Sequence, residues 1–171
     1  MTSYNRESIV YSLSEPFSLR ARVEDDQAFL QELYLSTRDD LRQAIPEPAL
    51  FQQLVAMQFN AQEIGYRHQF PSARQFVLLR SSLPIGRMVV DATPEQLRLV
   101  DIAIALPARR SGAATAALAA LQRHAATLGV PLCLAVGRDN GPAQCLYQKC
   151  GLTPVTEDEL FVQMAWRSAS Q

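Results

Sequence analysis

The spacing of apolar residues changes repeatedly along the chain, and each change marks an element. In "FSLRARV", Phe17 to Val23, apolar and polar positions alternate with the period of a half-buried strand. The next stretch, "EDDQAFLQELYLSTRDDL", returns Phe29, Leu30, Leu33 and Tyr34 at helical spacing behind an acidic start, which predicts one helix. "ALFQQLVAMQFNAQEIGYRHQF" places Leu50, Leu54, Met57 and Ile64 near one face of a longer second helix that ends around Gly65 to Pro71. Three strands follow closely: "QFVLLR" from Gln75, "IGRMVVDA" from Ile85 and "QLRLVDIAIA" from Gln96. The short connections "SSLP" and "TPE" make them an antiparallel meander.

At Pro107 the period returns to that of a helix. Ala114, Ala117, Leu118, Leu121, Ala125 and Leu128 form one stripe from about Ala113 to Leu128, stopped by Gly129 and Pro131. The strand "PLCLAV" comes next. A helix then begins near Pro142, which suits a first turn, and ends at Gly151. "VQMAW" reads as a last strand. The predicted order is β, α, α, three β, α, β, α, β, a mixed α/β (α+β) sheet with helices on its faces. Residues 1–16 are expected to be an N-terminal arm, its first dozen residues loose, and residues 17–167 a single domain.

Composition narrows what such a domain can do. With 171 residues, 48% of them hydrophobic, the chain can bury one substantial core. Sixteen basic and 17 acidic residues leave a net charge of -1, so no global field draws it to nucleic acid or an anionic membrane. Cys133, Cys145 and Cys150 form no CxxC pair and no zinc-spaced cluster with His68 and His124, so no metal is expected. The thiols fit a reduced, cytoplasmic setting. No stretch approaches the roughly 20 apolar residues of a membrane span, and the first residues lack the apolar segment of a secretory signal.

One local feature does ask for a charged ligand. After the strand ending "DIAIALP", two arginines and a small-residue turn, Arg109, Arg110, Ser111, Gly112, Ala113 and Ala114, lead directly into a helix. Unsatisfied N–H groups and the helix dipole make that mouth a site for an anion, and small side chains let the backbone approach it. The spacing R-x-x-G-x-A is neither a P-loop nor GxGxxG, which argues against nucleoside triphosphates and dinucleotides. By itself, Gly112 is equally explained as the hinge of a tight turn.

The R-x-x-G-x-A turn after a β-meander, the strand "LCLAV", then Asn140 and "A-x-x-x-Y-x-x-x-G-L" from Ala143 to Leu152 together resemble the general N-acetyltransferase (GNAT) superfamily, over roughly residues 17–167. The resemblance implies a central, mostly antiparallel twisted sheet of about six to seven strands with about four helices. It implies acetyl-CoA as cosubstrate, its pyrophosphate held by the main chain of Arg110 to Ala114 with Arg109 at the rim. Its pantetheine arm would pair with Ile102, Ala103 and Ile104. By the same resemblance Asn140 and Ala143 line the cofactor site and Tyr147 protonates the departing thiolate. On pattern alone, Asn140 is an ordinary turn residue and Tyr147 a core residue on the stripe Ala143, Leu146, Tyr147, Cys150.

Many relatives carry a glutamate in the middle of the strand before the asparagine; here Ala135 stands there. Asp101 is the substitute general base. In strict alternation it shares a face with Leu97, Leu99, Ala103 and Ala105, an apolar setting of the kind that strengthens a carboxylate as a base. A structural hydrogen-bonding role suits it nearly as well. The acceptor would be a primary amine of a small molecule, peptide or protein, attacking directly in a ternary complex. Backbone N–H groups near Ile102 to Ile104 would stabilise the oxyanion. Glu32, Tyr34, Arg38, Tyr66 and His68 are candidates for recognising the acceptor. Ala135 also motivates an alternative, a catalytically silent CoA-binding regulatory or structural module. Homodimers formed through the sheet or the C-terminal strands are common among proteins of this kind.

Overall fold

The computed structural model describes residues 11–169. Its strands are β1 (Phe17–Ala21), β2 (Arg74–Arg80), β3 (Leu83–Ala92), β4 (Leu97–Ile104), β5 (Leu132–Gly137), β6 (Thr153–Glu157) and β7 (Phe161–Trp166). Its helices are α1 (Gln27–Leu35), α2 (Asp39–Ala44), α3 (Pro48–Gln69), α4 (Ala113–Leu128) and α5 (Gly141–Lys149), with short 3-10 turns at Glu24–Asp26 and Leu106–Ala108. The strands form one seven-stranded sheet in the order β1-β2-β3-β4-β5-β7-β6. Every pairing is antiparallel except β4 with β5. This is the mixed, mostly antiparallel architecture expected.

The single predicted helix after β1 is two. The hydroxyls of Ser36 and Thr37 donate back to the carbonyls of Leu33 and Tyr34, both at 2.7 Å, and Arg38 leaves the helical region at φ -113°, ψ 44°. Such back-bonding competes with the next helical turn and closes α1. β6 went unread because "TPVTE" is exposed at every position and so carries no inside-outside alternation. It is an edge strand with an irregularity between Pro154 and Thr156, where a proline is tolerated.

Two further expectations are corrected by the packing. Residues 1–10 lie outside the described part, but Tyr11 and Ser12, assigned to the loose arm, are anchored. The Tyr11 ring is buried edge-on against Phe76 and His124, at 5.4 and 5.1 Å between centroids, and Arg123 Nη2 donates to the Ser12 carbonyl at 2.6 Å. On α3, the residues turned to the core are Phe51, Val55, Phe59 and Glu63, while Leu50, Met57 and Ile64 face outward. The aromatic and β-branched stripe is bulkier and fills the space over the sheet.

The main core lies between the sheet and α4, where Met88, Val90, Leu97 and Leu99 meet Leu118, Leu121, Leu132, Leu134 and Met164. α1 and α3 cover the other face, since Arg87, one residue from Met88 and so on the opposite side of β3, contacts α3. No helix among the described residues is long and apolar enough to cross a membrane.

Two irregularities at the centre of the sheet position the site. β4 and β5 pair over Leu97↔Leu132, Arg98↔Cys133 and Leu99↔Leu134 only, after which the two strands part. In the β3–β4 register Val89 opposes Asp101 while Val90 opposes Leu99, leaving Val100 as the extra residue of a β-bulge. Bulge and parting occur at the same place.

Candidate active site

Where β4 and β5 separate, a cleft of about 830 Å³ opens. β4 contributes Asp101, Ile102, Ala103 and Ile104; the turn and the start of α4 contribute Ala108, Arg109, Arg110, Gly112, Ala113, Ala114 and Thr115; α5 and its cap contribute Asn140, Pro142, Ala143, Leu146 and Tyr147. Leu30, Leu33, Tyr34, Ser36, Thr37, Asp39, Gln62 and Arg87 complete the wall. Thus every expected cofactor or catalytic residue except Ser111 lines one cavity. Of the acceptor candidates only Tyr34 does so.

The turn has the shape of an anion cradle. Arg110 and Gly112 both adopt left-handed backbone, at φ 60° and 89°, on either side of Ser111. Ser111 is a turn former, donating its hydroxyl to the Ala108 carbonyl at 2.7 Å. Helical acceptance begins with Ala116 N–H on the Gly112 carbonyl, at 2.9 Å, so the N–H groups of Ala113, Ala114 and Thr115 precede the helix's own ladder. A Cβ placed on Gly112 would meet no atom within 4 Å. The space beside that glycine is open, as an anionic group approaching the start of a helix requires. Arg109 is turned back, its Nε donating to the Ile104 carbonyl at 3.1 Å.

Asn140 accepts from Ala143 N–H at 3.2 Å and so caps α5, while the residue itself lines the cleft. Both roles foreseen for it are compatible. Tyr147 is buried, and that burial, with the Asp101 carboxylate and Cys150 adding, pushes its phenol up to about 12. It therefore carries its proton throughout the neutral range.

Asp101 sits in surroundings other than the apolar ones expected. The extra residue Val100 reverses the alternation, so Asp101 shares a face with Ala103 and Arg87 and lies opposite that of Leu97 and Leu99. Arg87 donates to Asp101 Oδ2 twice, from Nε at 3.0 Å and Nη2 at 2.6 Å. The same guanidinium donates to Glu63 Oε1 at 2.8 Å and Gln62 Oε1 at 2.7 Å, and lies 5.8 Å from the ring centres of both Phe59 and Tyr66. Glu63 is held on its other oxygen by Arg22 and by Gln75 Nε2 at 3.1 Å. Although burial opposes its charge, these donors and the two arginines hold the Glu63 carboxyl below the usual range. Burial also pushes the Tyr66 phenol up, with the Asp101 carboxylate adding to the effect.

Arg87, Gln62 and Glu63 were missed from sequence. The available signal was a lone arginine inside the apolar run "IGRMVVDA" and a glutamate continuing the helical stripe Phe51, Val55, Phe59. Arg38, an acceptor candidate, instead binds Tyr34 Oη, Gln58 and Asp40. Glu32 and His68 are exposed away from the cleft lining, and Tyr66 packs against Arg87. Among the described residues no group of histidine, cysteine and acidic side chains could hold a metal.

The fold is shared with solved acetyltransferases. The PaiA N-acetyltransferase of Thermoplasma acidophilum, in complex with coenzyme A, superposes with a TM-score of 0.67 at 14% identity, over 89% of this chain and 99% of its own. RimL, the ribosomal L7/L12 alpha-N-protein acetyltransferase, also with coenzyme A, gives 0.67 at 16% identity over 95% and 99%. An acetyltransferase from Salmonella typhimurium that modifies the N-terminal serine of L7/L12 gives 0.65 at 16% identity, over 92% and 98%. No curated protein sequence matches the chain significantly. The model of the Acetyltransferase (GNAT) family matches residues 30–152. That span includes every residue lining the cleft, from Leu30 to Tyr147. The chain belongs to the GNAT acetyltransferase family.

Proposed function

We propose that this protein transfers an acetyl group from acetyl-CoA to a primary amine, with both substrates seated together in the cleft between β4 and α5. The carrying observation is that one cavity contains an anion cradle, a stretch of β4 released from β5, and a buried, protonated tyrosine. Acetyl-CoA, when bound, supplies an acetyl group already activated as a thioester. The main chain of Arg110, Ser111, Gly112, Ala113 and Ala114 would hold its phosphates, and Ile102, Ala103 and Ile104 offer main-chain groups that an extended amide chain can pair with.

The remaining chemistry falls to side chains of this protein. Tyr147 keeps a proton at its phenolic oxygen for the sulfur that leaves. Asp101, with Oδ2 engaged by Arg87, presents a fixed carboxylate to the cleft and receives the proton of the acceptor amine, directly or through water. No carboxylate occupies position 135 on β5, so Asp101 is the carboxylate among the residues of the parted strands that line the cleft. The apolar Leu30 and Leu33 beside Tyr34, Ser36, Thr37 and Asp39 form the wall available to the acceptor. RimL and the Salmonella typhimurium enzyme, which act on ribosomal protein L7/L12, support an amine at a protein N-terminus as one such acceptor.

Acetyl-CoA should raise the melting temperature, since a ligand that binds only the folded chain stabilises it by about 2.7 kcal/mol at a hundred times its Kd. Gly112→Glu should abolish the rise by placing a side chain and a negative charge in the cradle. Ala114→Glu should do the same on ordinary helical backbone, without strain at a positive φ. Thermal shift with and without acetyl-CoA, on variants whose circular dichroism matches the wild type, measures this. Full stabilisation of both variants would place the anion site elsewhere.

A further inference from the structure

Between Leu30 and Gln62, the cleft-lining side chains with a proton to give are Tyr34, Ser36, Thr37 and Gln62. Ser36 and Thr37 give theirs to the carbonyls of Leu33 and Tyr34, both at 2.7 Å. The other two keep theirs free, and in each case an arginine sets the direction. Gln62 turns its Oε1 to Arg87 Nη2 at 2.7 Å, which leaves both protons of its Nε2 without a partner among the described residues. The side-chain atoms buried without a partner among those residues are Arg74 Nη1, Asp91 Oδ1 and His124 Nε2, so Gln62 Nε2 is accessible. Tyr34 Oη accepts from Arg38 Nη1 at 3.2 Å. A guanidinium accepts nothing in return, so the phenolic proton is left over.

Gln62 stands beside the carboxylate assigned as base. Arg87 Nη2 donates both to Gln62 Oε1 and to Asp101 Oδ2, the latter at 2.6 Å, so the amide and the carboxylate hang from one nitrogen. Asp101 Oδ1 takes no hydrogen bond from a described residue and is the atom open to an amine. An α-amino acyl group carries its carbonyl oxygen about 3 Å from its amine nitrogen, a span that suits a carboxylate and a neighbouring amide donor. The charges on this wall favour a neutral oxygen over an acid. Arg38 is engaged by Tyr34, Gln58 and Asp40, and Arg87 by Glu63, Gln62 and Asp101, while Asp39 is exposed on the same wall.

We propose that the acceptor is the α-amino group of a peptide or protein N-terminus, recognised through the carbonyl of its first residue by Gln62 Nε2 and Tyr34 Oη. Such recognition rests on acetyl transfer with Asp101 as the base, and it adds the residues that select the amine. A lysine side chain or a polyamine carries no oxygen near the reacting nitrogen and would leave both donors unpaired in the complex. A free amino acid would bring a carboxylate to a wall with an uncompensated Asp39 and no spare cation.

Thiol release from acetyl-CoA tests this with tripeptide amides beginning in alanine, serine or methionine, set against Nα-acetyl-lysine amide, spermidine and free alanine. The best tripeptide should exceed each of the others in kcat/KM by at least about tenfold. Tyr34→Phe, which keeps the ring against Phe59, and Gln62→Met should each lower the peptide's kcat/KM by about five- to tenfold, mainly through KM. Gln62→Glu keeps an oxygen for Arg87 but exchanges a donor for an acceptor, so it should move the preference toward spermidine, which a loss of packing would not do. The rise in melting temperature with acetyl-CoA should persist in all three variants, separating acceptor recognition from cofactor binding. Spermidine or the lysine derivative acetylated as well as the best peptide would overturn the proposal and leave acetyl transfer standing. So would Tyr34→Phe and Gln62→Met variants that keep the wild-type kcat/KM for the peptide. No transfer to any amine, with acetyl-CoA still bound, would overturn the transfer reading together with this one.

Discussion

Replacing Tyr147 by phenylalanine should lower kcat by about 10²- to 10⁴-fold while leaving the affinity for acetyl-CoA nearly unchanged. The ring stays, so the packing against the α5 stripe and the core stays; only the proton is removed. Burial and the Asp101 carboxylate push this phenol up to about 12, so it remains protonated as pH rises through the neutral range. The wild-type kcat should accordingly show no alkaline loss from this group until well above pH 10. Thiol release over a panel of amines, polyamines and peptide N-termini first identifies an acceptor, and kcat and KM of the two forms are then compared. An unchanged kcat would make Tyr147 a packing residue and leave the thiolate to take its proton from water. A variant that fails to fold would show that the hydroxyl is structurally required.

Arg87→Met carries the largest expected loss of stability, about 3–5 kcal/mol, the cost of removing one partner from a buried ion pair. Arg87 and Glu63 are each only 4% exposed. Glu63 would keep Arg22 and Gln75, but Asp101 would lose its two hydrogen bonds from the guanidinium. Because the Glu63 carboxyl titrates below its ordinary value of 4.5, protons bind it more readily in the unfolded chain. Its contribution is therefore complete above that pH and fades as pH falls through the lower folded value. The wild-type advantage over Arg87→Met should shrink in the same direction. Urea unfolding of both proteins at pH 7 and pH 4 measures it, and equal differences at the two pH values would show that the charge on Glu63 is not what the guanidinium stabilises. Adding Asp101→Asn to Arg87→Met should restore part of the loss by removing the stranded charge.

How much of this was legible in the sequence depended on whether a feature is local. The bounds of α4 were readable because Gly112 and Gly129 punctuate the chain at its ends, both with positive φ. The cradle was readable for the same reason, a turn whose residues are consecutive. Tyr147 and Asn140 were singled out only by the resemblance to the GNAT superfamily, since on pattern alone they read as a core residue and a turn residue. The surroundings of Asp101 did not, because they are assembled from β3 and α3, and only register brings Arg87 and Glu63 to it. Alternation over "QLRLVDIAIA" placed Asp101 on the wrong face, since nothing in the residues themselves announces an extra one at Val100. On α3, two apolar stripes compete, and hydrophobicity alone does not say which meets the sheet. The choice was made by shape, with Phe51, Val55 and Phe59 inside and the Leu50, Met57, Ile64 line left at the surface. α1 and α2 were merged because Ser36 and Thr37 are compatible with helix composition, and their effect comes from hydroxyls that bond backward.

The bulge at Val100 has a bearing on how this chain can vary. The last β4–β5 pair, Leu99↔Leu134, immediately precedes it. A chain shortened by that one residue would return β4 to regular alternation, with Leu97, Leu99 and Ile102 still inward and Asp101 still beside Arg87. Nothing in the core would need to change. A bulge bends its strand and increases local twist, so a strand without it could run on alongside β5 and zip the opening shut. Such a deletion would yield a sheet with more backbone pairs and no room for a substrate. The cavity thus depends on an imperfection that folding alone does not require, and single-residue deletions in β4 are where sound structure and loss of activity should be found together.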